Sequence, residues 1–218
     1  MGLIKDKEYL LQDIRAMGIK DERVLKAVEE TKRELFITKN IEKEAYGNYP
    51  LPIGYGQTIS QPYTVAFMID LLDIKPGNSI LEIGCGSGYN AAVMSLLVGK
   101  KGKIYSLEII KELCDFAEKN FKKAGIKNVS VVNADGYFGY KKAAPYDRII
   151  ITAGCPLIPK ELLNQLCKDG ILVMPLTKYF GETMIKVVKD KELNISEFGS
   201  FAFVPLRGAV EGHKDLNI

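Results

Sequence analysis

Three glycines at alternate positions, Gly84, Gly86 and Gly88, follow an apolar, β-branched run (Ile80, Leu81, Ile83) and precede a helix-competent stretch from Ala91 to Val98. The pattern reads as strand, tight turn, helix. Glycine lets the chain turn sharply and lets a ligand lie against bare main chain, and the helix start beyond it offers unpaired N–H groups. The spacing limits the ligand. A dinucleotide fingerprint, Gly-x-Gly-x-x-Gly, needs a small residue at position 89, where Tyr89 stands. Two acids accompany the glycines. Glu82 lies two residues upstream of Gly84, and Glu108 ends the next apolar run (Lys103-Ile-Tyr-Ser-Leu-Glu), 24 residues past Gly84. A βαβ unit places a ribose-binding carboxylate at about 20 residues.

Elements that could position these groups are legible on both sides. Lys5 to Met17 and Glu22 to Thr31 read as two amphipathic helices, with Asp21 as an N-cap. Ala45 to Ser60 holds two prolines, three glycines and three tyrosines, which exclude a long helix and mark a functional loop. A helix runs from Gln61-Pro62 through Leu72, and Ser60 stands either as its cap or as a hydroxyl held at the mouth of a ligand cleft. From Ser79 strand and helix alternate: Ile80–Ile83, Ala91–Val98, Lys103–Leu107, Lys111–Ala124, Val129–Val132, Arg148–Ile151, Pro159–Leu166 and Gly170–Pro175. That alternation predicts a parallel sheet with helices on both faces. Two β-type runs, Thr183–Lys189 and Phe198–Pro205, are expected as a hairpin at the sheet edge, and His213 to Ile218 as a loose tail.

Composition bounds the rest. At 218 residues one compact domain is expected: residues 1–76 as N-terminal helices and loop, 77–210 as the core sheet, 211–218 as a tail. Net charge is +3, with lysines and acids interspersed, so no nucleic-acid surface is expected. No apolar run reaches the roughly 18 residues of a membrane span, and the N-terminal residues lack a signal peptide's apolar stretch. The four cysteines, Cys85, Cys114, Cys155 and Cys167, show no Cys-x-x-Cys spacing. They read as reduced thiols of a cytoplasmic protein, with no metal site.

Gly-x-Gly-x-Gly with Glu82 upstream resembles motif I of the S-adenosylmethionine-dependent methyltransferases. Open α/β sheets bind ligands beyond the carboxyl ends of their strands. Those ends carry the glycines, Glu108, Asn133-Ala-Asp-Gly136 and Thr152-Ala-Gly-Cys-Pro156. In this reading the glycines admit the methionine part, Glu108 accepts from the ribose diol, Asp135 binds the adenine amino group, and Ala153 and Gly154 leave space for the methyl group. The acceptor is narrowed by scarcity. The single histidine, His213, stands in the tail, so neither a histidine base nor a Ser-His-Asp relay is expected. Asn-Pro-Pro-Tyr, Asp-Pro-Pro-Tyr and Pro-Cys motifs are absent, Cys155-Pro156 being the reverse order. A carboxylate, already ionised at neutral pH, fits this poverty of bases, with catalysis resting on positioning and desolvation.

Tyr49-Pro-Leu-Pro-Ile-Gly-Tyr-Gly-Gln-Thr-Ile-Ser-Gln-Pro-Tyr-Thr-Val-Ala-Phe-Met68 resembles the segment before motif I in the protein-L-isoaspartate O-methyltransferase family. The resemblance continues through Leu81–Tyr89, Asp135-Gly136, Ala144-Pro-Tyr-Asp-Arg-Ile149, Pro156-x-x-Pro159 and Phe203-Val-Pro-Leu206, over about residues 24 to 208. It implies a Rossmann-like class I methyltransferase: a mostly parallel, doubly wound sheet with an N-terminal helical extension and C-terminal antiparallel strands. It implies methyl transfer from S-adenosylmethionine to the α-carboxyl of L-isoaspartyl residues in damaged proteins, with repair through a succinimide and S-adenosylhomocysteine as coproduct. It matches Ser60 to the active-site serine. It matches Thr58, Ile59, Ser60, Gly84, Cys85, Gly86, Ser87, Glu108, Ala134, Asp135 and Gly136 to cofactor positions, and Pro62, Tyr63, Val204, Leu206 and Arg207 to the substrate side. Asn48 stands where many members carry Asp, Gly154-Cys155 where Ala-Ala is usual, and Arg207 where a smaller residue is frequent. The expected partners are isoaspartyl proteins and peptides, and the expected state is a monomer. The alternatives are a methyltransferase with another acceptor, a small carboxylic acid or a tRNA adenine, and a nucleoside-binding module without catalysis. The modest charge weighs against the tRNA version.

Overall fold

The computed structural model describes residues 2–213. Seven strands form the main sheet: β3 (Ser79–Ile83), β4 (Lys103–Glu108), β5 (Val129–Asn133), β6 (Tyr146–Ile151), β7 (Leu166–Lys178), β8 (Gly181–Lys189) and β9 (Leu193–Phe201). A small antiparallel pair, β1 (Leu51–Gly54) and β2 (Gln57–Ile59), precedes them. The order across the sheet is β5-β4-β3-β6-β7-β8-β9; β3 to β7 are parallel, and β8 and β9 are antiparallel additions at one edge. The helices are α1 (Gly2–Ala16), α2 (Glu22–Glu30), α3 (Pro62–Leu72), α4 (Tyr89–Val98), α5 (Lys111–Ala124) and α6 (Lys160–Gln165).

Strand periodicity sorts the core into two layers. Ile80, Ile104, Ile150 and Val173 face the layer filled by α1 to α5, whereas Leu81, Ile83, Leu107, Ile149, Ile151 and Leu172 face the layer closed by α6 and Val210. Burial on both faces is why these strands are apolar without a break. The side chains of α1, α2 and α3 share the first core with the sheet.

The Asp147-Arg148 pair ties elements together below the site. The Asp147 carboxylate accepts from the Ser79 N–H at 2.8 Å, at the start of β3. Arg148 donates from Nε to the Leu72 carbonyl at 2.7 Å and from Nη2 to the Asp73 carbonyl at 3.0 Å, closing carbonyls that the end of α3 leaves open. Gly125 ends α5 at φ +71, as its position in the sequence implies.

Four expectations need correction. The cap of α3 is not Ser60: Gln61 occupies that position without a side-chain capping bond, and Asn48 Oδ1 accepts from the Tyr63 N–H at 3.1 Å instead. Strand β7 is 13 residues long, beyond Gly170–Pro175 at both ends. Strand β9 covers Leu193–Phe201 and stops before Val204, because the chain leaves β8 there to meet Gly154. The segment Leu51–Ile59 forms a hairpin, its turn made by Tyr55 and Gly56 at positive φ. Of the expected tail, residues 211–213 end a short 3-10 turn (Ala209–His213) and residues 214–218 lie outside the described residues.

Candidate active site

The strand ends of β3, β4 and β6 open onto one cleft. Its walls are Gln57–Ser60, Gly84–Ser87, Tyr89, Asn90, Glu108, Thr152, Ala153 and Val204. The glycine turn is shaped for it. Gly84, Gly86 and Gly88 all have positive φ, and a Cβ on Gly84 would lie 2.5 Å from Thr152 Oγ1. Thr152 in turn donates its hydroxyl to the Gly84 carbonyl at 2.7 Å, fixing the turn from β6. Behind the turn, Tyr89 stacks under the fully buried Arg33, whose guanidinium carbon is 4.8 Å from the ring centroid. Burial pushes Arg33 down to about 10.

Glu108 reaches back from the end of β4. Its Oε2 accepts from the Gly86 N–H at 2.9 Å and its Oε1 from the Ile110 N–H at 3.0 Å, with 7% of the residue exposed. A carboxylate has about four acceptor sites, so two remain for a diol. Beneath it Glu82 is fully buried on β3, where it accepts from Asn90 Nδ2 at 2.8 Å and from the Ser106 hydroxyl. Burial pushes Glu82 up to about 7, against the pull of the bonds from Ser106 and Asn90. Asn90 Oδ1 is buried without a partner. An orphaned acceptor in a polar cleft fits a ligand that brings its own N–H groups. With Glu108 for a diol and bare main chain at the turn, these donors and acceptors suit a nucleoside carrying an amino acid. Thr152 stands among the strand ends in the sequence without a role of its own; Asn90, the second residue of α4, escapes the sequence reading, and nothing in its spacing marks it.

A second cavity of about 900 Å³ adjoins the cleft. It is lined by Met17, Pro50, Gln61, Tyr63, Thr64, Phe67 and the segment Phe198–Val204. Thr58, Ser60, Thr152 and Val204 line both spaces. Its floor is aromatic: Phe67 stacks on Phe201 at 5.3 Å between centroids and meets Phe198 edge-on at 6.3 Å. The arrangement juxtaposes a narrow cleft edged by Glu108 and Asn90 and a larger apolar groove, with Ser60 in the wall of both.

The sequence-predicted residues divide accordingly. Thr58, Ile59, Ser60, Gly84, Cys85, Gly86, Ser87 and Glu108 come together around the cleft, and Tyr63 and Val204 line the groove. Burial pushes the Cys85 thiol up, which keeps it neutral. Ala134, Asp135 and Gly136 lie one strand further out and do not line the cleft. Asp135 Oδ1 accepts from the Tyr137 N–H at 2.9 Å and Oδ2 from the Ala209 N–H at 2.7 Å, which anchors the C-terminal segment. Pro62 is buried at the first turn of α3. The Leu206 N–H donates to the Gly154 carbonyl at 2.8 Å. Arg207 lies on the β1–β2 turn, where a Cβ on Gly56 would be 3.6 Å from its Nη2. Among the described residues no group of three or more His, Cys, Asp or Glu is placed to hold a metal.

The comparisons with known proteins agree with this geometry. The family model described as protein-L-isoaspartate(D-aspartate) O-methyltransferase matches residues 5–211. A protein-L-isoaspartate O-methyltransferase of Methanococcoides burtonii is 48% identical over 202 residues, 91% of this chain and 98% of that protein. A Pyrococcus horikoshii protein of the same name is 45% identical over 199 residues, 89% of this chain and 90% of its own. A solved protein-L-isoaspartate O-methyltransferase structure superposes with a TM-score of 0.87 at 32% identity, covering 94% of this chain and 67% of that one. The chain belongs to the protein-L-isoaspartate(D-aspartate) O-methyltransferase family.

Proposed function

We propose that this chain transfers the methyl group of S-adenosylmethionine to the α-carboxyl of L-isoaspartyl residues in damaged proteins, the step that opens repair through a succinimide. The observation that carries the reading is the pair of adjoining spaces that share Thr58, Ser60, Thr152 and Val204. S-adenosylmethionine supplies a methyl group on a positively charged sulfur, ready for displacement by a carboxylate.

The residues act by holding and desolvating. Glu108 accepts the ribose hydroxyls, Asn90 Oδ1 accepts from the amino group of the methionine part, and the main chain of Gly84 and Gly86 gives room for both. The Ser60 hydroxyl donates to the incoming carboxylate and orients it across the opening. The substrate carboxylate is ionised at neutral pH, so no base is required. The aromatic groove excludes water from the reaction path and takes the peptide on either side of the isoaspartyl residue, beside Tyr63 and Val204. Asp135 is proposed to act from outside the cleft, by seating the Gly208–Ala209 segment that carries Leu206 and Arg207 toward the adenine end. Residues 1–76 and 77–210 serve as one unit, a reading supported by the core they share. We place the chain in the cytoplasm as a monomer; the four free cysteines support a reducing compartment.

Mass spectrometry of an isoaspartyl peptide incubated with enzyme and S-adenosylmethionine tests the reading. The expected course is a methyl ester at the isoaspartyl α-carboxyl, its decay to the succinimide, and accumulation of the normal aspartyl peptide over repeated cycles. A methyl group found on any other atom of the peptide would refute it.

A further inference from the structure

Gly154 has no conformational reason to be glycine. Unlike Gly84, Gly86 and Gly88, it does not hold a positive φ. What it leaves is room, and the room opens away from the cleft: of the two small residues after β6, Ala153 lines the cleft and Gly154 does not. A Cβ on Gly154 would lie 3.0 Å from Glu182 Oε1, 3.1 Å from Glu182 Cγ and 3.2 Å from Thr177 Oγ1. Thr177, Glu182 and Phe201 are partners in register across β7, β8 and β9, so their side chains stand in a row on one face of the sheet. The middle member of that row takes the space that a side chain at position 154 would need.

The same carboxyl group makes a second contact. Strand β9 stops at Phe201, opposite Glu182, and the chain then leaves the β8 ladder. The Phe203 N–H lies beyond the last ladder pair, and a main-chain donor that leaves a ladder needs another acceptor. Glu182 Oε2 supplies it, at 3.3 Å. The next residue, Val204, accepts at its carbonyl from the Gly154 N–H at 2.8 Å, and the Leu206 N–H donates to the Gly154 carbonyl at 2.8 Å. Oε1 therefore rests against Gly154 while Oε2 holds the residue before Val204. Val204 stands in the wall of both the cleft and the groove, and Ala202 and Phe203 line the groove.

We propose that Glu182 is a positioning residue for the transfer: it seats Phe203, and through it the Val204 wall shared by cleft and groove, and position 154 is glycine so that this carboxyl group fits. The proposal rests on the reading of the two spaces given above. Glu182 lines neither space, so it acts through the Phe203–Val204 segment and not on the substrate itself. The peptide side depends on it more than the cofactor side. Glu108 and the glycine turn stand at the ends of β4 and β3, and β6 and β7 lie between those strands and β8.

Steady-state kinetics on an isoaspartyl peptide, with calorimetry of S-adenosylhomocysteine binding, test the proposal in Glu182→Ala, Glu182→Gln, Gly154→Ala and the double variant Gly154→Ala/Glu182→Ala. For Glu182→Ala the expected result is a kcat/KM about three- to tenfold below the parent, the worth of one hydrogen bond, with the Kd for S-adenosylhomocysteine within about twofold. Glu182→Gln keeps an acceptor oxygen for the Phe203 N–H and stays within about twofold of the parent. Gly154→Ala displaces the carboxyl group and falls as Glu182→Ala does, and the double variant falls no further than either single one, because the two changes act on one contact. Should Glu182→Ala not fold, Gly154→Ala against Glu182→Gln carries the same comparison. Parental kcat/KM in both Glu182→Ala and Gly154→Ala, or losses that add in the double variant, would overturn the proposal. A fall in Glu182→Gln as large as in Glu182→Ala, or an equal weakening of S-adenosylhomocysteine binding, would overturn it too, leaving the residue a general support of the fold. A parent enzyme that binds S-adenosylhomocysteine yet methylates no isoaspartyl peptide is a different result: it would remove the reading of the two spaces and this proposal with it.

Discussion

Glu108→Gln is the perturbation whose size follows most directly from the geometry. In the parent both carboxylate oxygens are engaged by main-chain donors, Gly86 N–H at 2.9 Å and Ile110 N–H at 3.0 Å. The two remaining acceptor positions face the cleft. Glutamine keeps one oxygen and replaces the other with an NH₂ group, which then opposes one of those N–H donors. If the oxygen stays on Gly86, the ribose side loses a charged acceptor; if it turns outward, the glycine turn loses its anchor. Hydrogen bonds to a charged group are worth about 1.5–3 kcal/mol each, so losing one such bond with its charge predicts a loss of about 2–3 kcal/mol in cofactor binding, or roughly 30- to 150-fold in Kd. Titration calorimetry with S-adenosylhomocysteine measures it, with kcat at saturating S-adenosylmethionine within about threefold of the parent. A Kd within about twofold of the parent, in a variant with parental thermal unfolding, would refute the assignment of Glu108 to the ribose.

Three further outcomes follow from single contacts. Gly208 holds φ +106, and a Cβ there would lie 2.5 Å from Asp135 Oδ2, so Gly208→Ala is expected to cost about 1–3 kcal/mol, read as a drop in Tm. Asn48→Ala removes the acceptor for the Tyr63 N–H and is expected to cost about 1 kcal/mol, whereas Asn48→Asp keeps the cap. Glu82 is held up near 7, above its ordinary 4.5. Between those values the native state binds more protons than the unfolded chain, so Glu82 lowers stability progressively as pH rises through this window. Urea unfolding at about pH 5 and pH 8 should show Glu82→Gln gaining up to about 3 kcal/mol on the parent across that interval; parallel pH profiles would contradict it.

Local pattern was enough to identify the β3–α4–β4–α5 unit, because both faces of these strands are buried and glycines punctuate it: Gly84–Gly88 between β3 and α4, Gly99 after α4 and Gly125 after α5. Glu108 and the glycine turn were legible for the same reason, since strand ends and turn glycines are set by neighbouring residues. What escaped was set by contacts distant in sequence. Of the two roles composition allows Ser60, the cap is excluded only by distant contacts: Gln61 takes the cap position and Asn48, 15 residues before Tyr63, accepts from the Tyr63 N–H. Asp135 is spaced for an adenine contact; that its Oδ2 also accepts from the Ala209 N–H, 74 residues on, could not be read from spacing. The extra length of β7 depends on pairing with β8 beyond the reach of β6, and β9 ends early because Val204 and Leu206 pair with Gly154. Asn90 was unremarkable in sequence; only the structure shows its Nδ2 donating to Glu82 and its Oδ1 buried without a partner.

The most direct test of the central claim is transfer of label from methyl-tritiated S-adenosylmethionine to paired peptides that differ only in isoaspartate or aspartate at one position, with Ser60→Ala alongside. The account predicts base-labile label, released as volatile methanol, on the isoaspartyl peptide alone, and a large fall in kcat for Ser60→Ala with S-adenosylhomocysteine binding retained. Equal labelling of the aspartyl peptide, or full activity in Ser60→Ala, would contradict it.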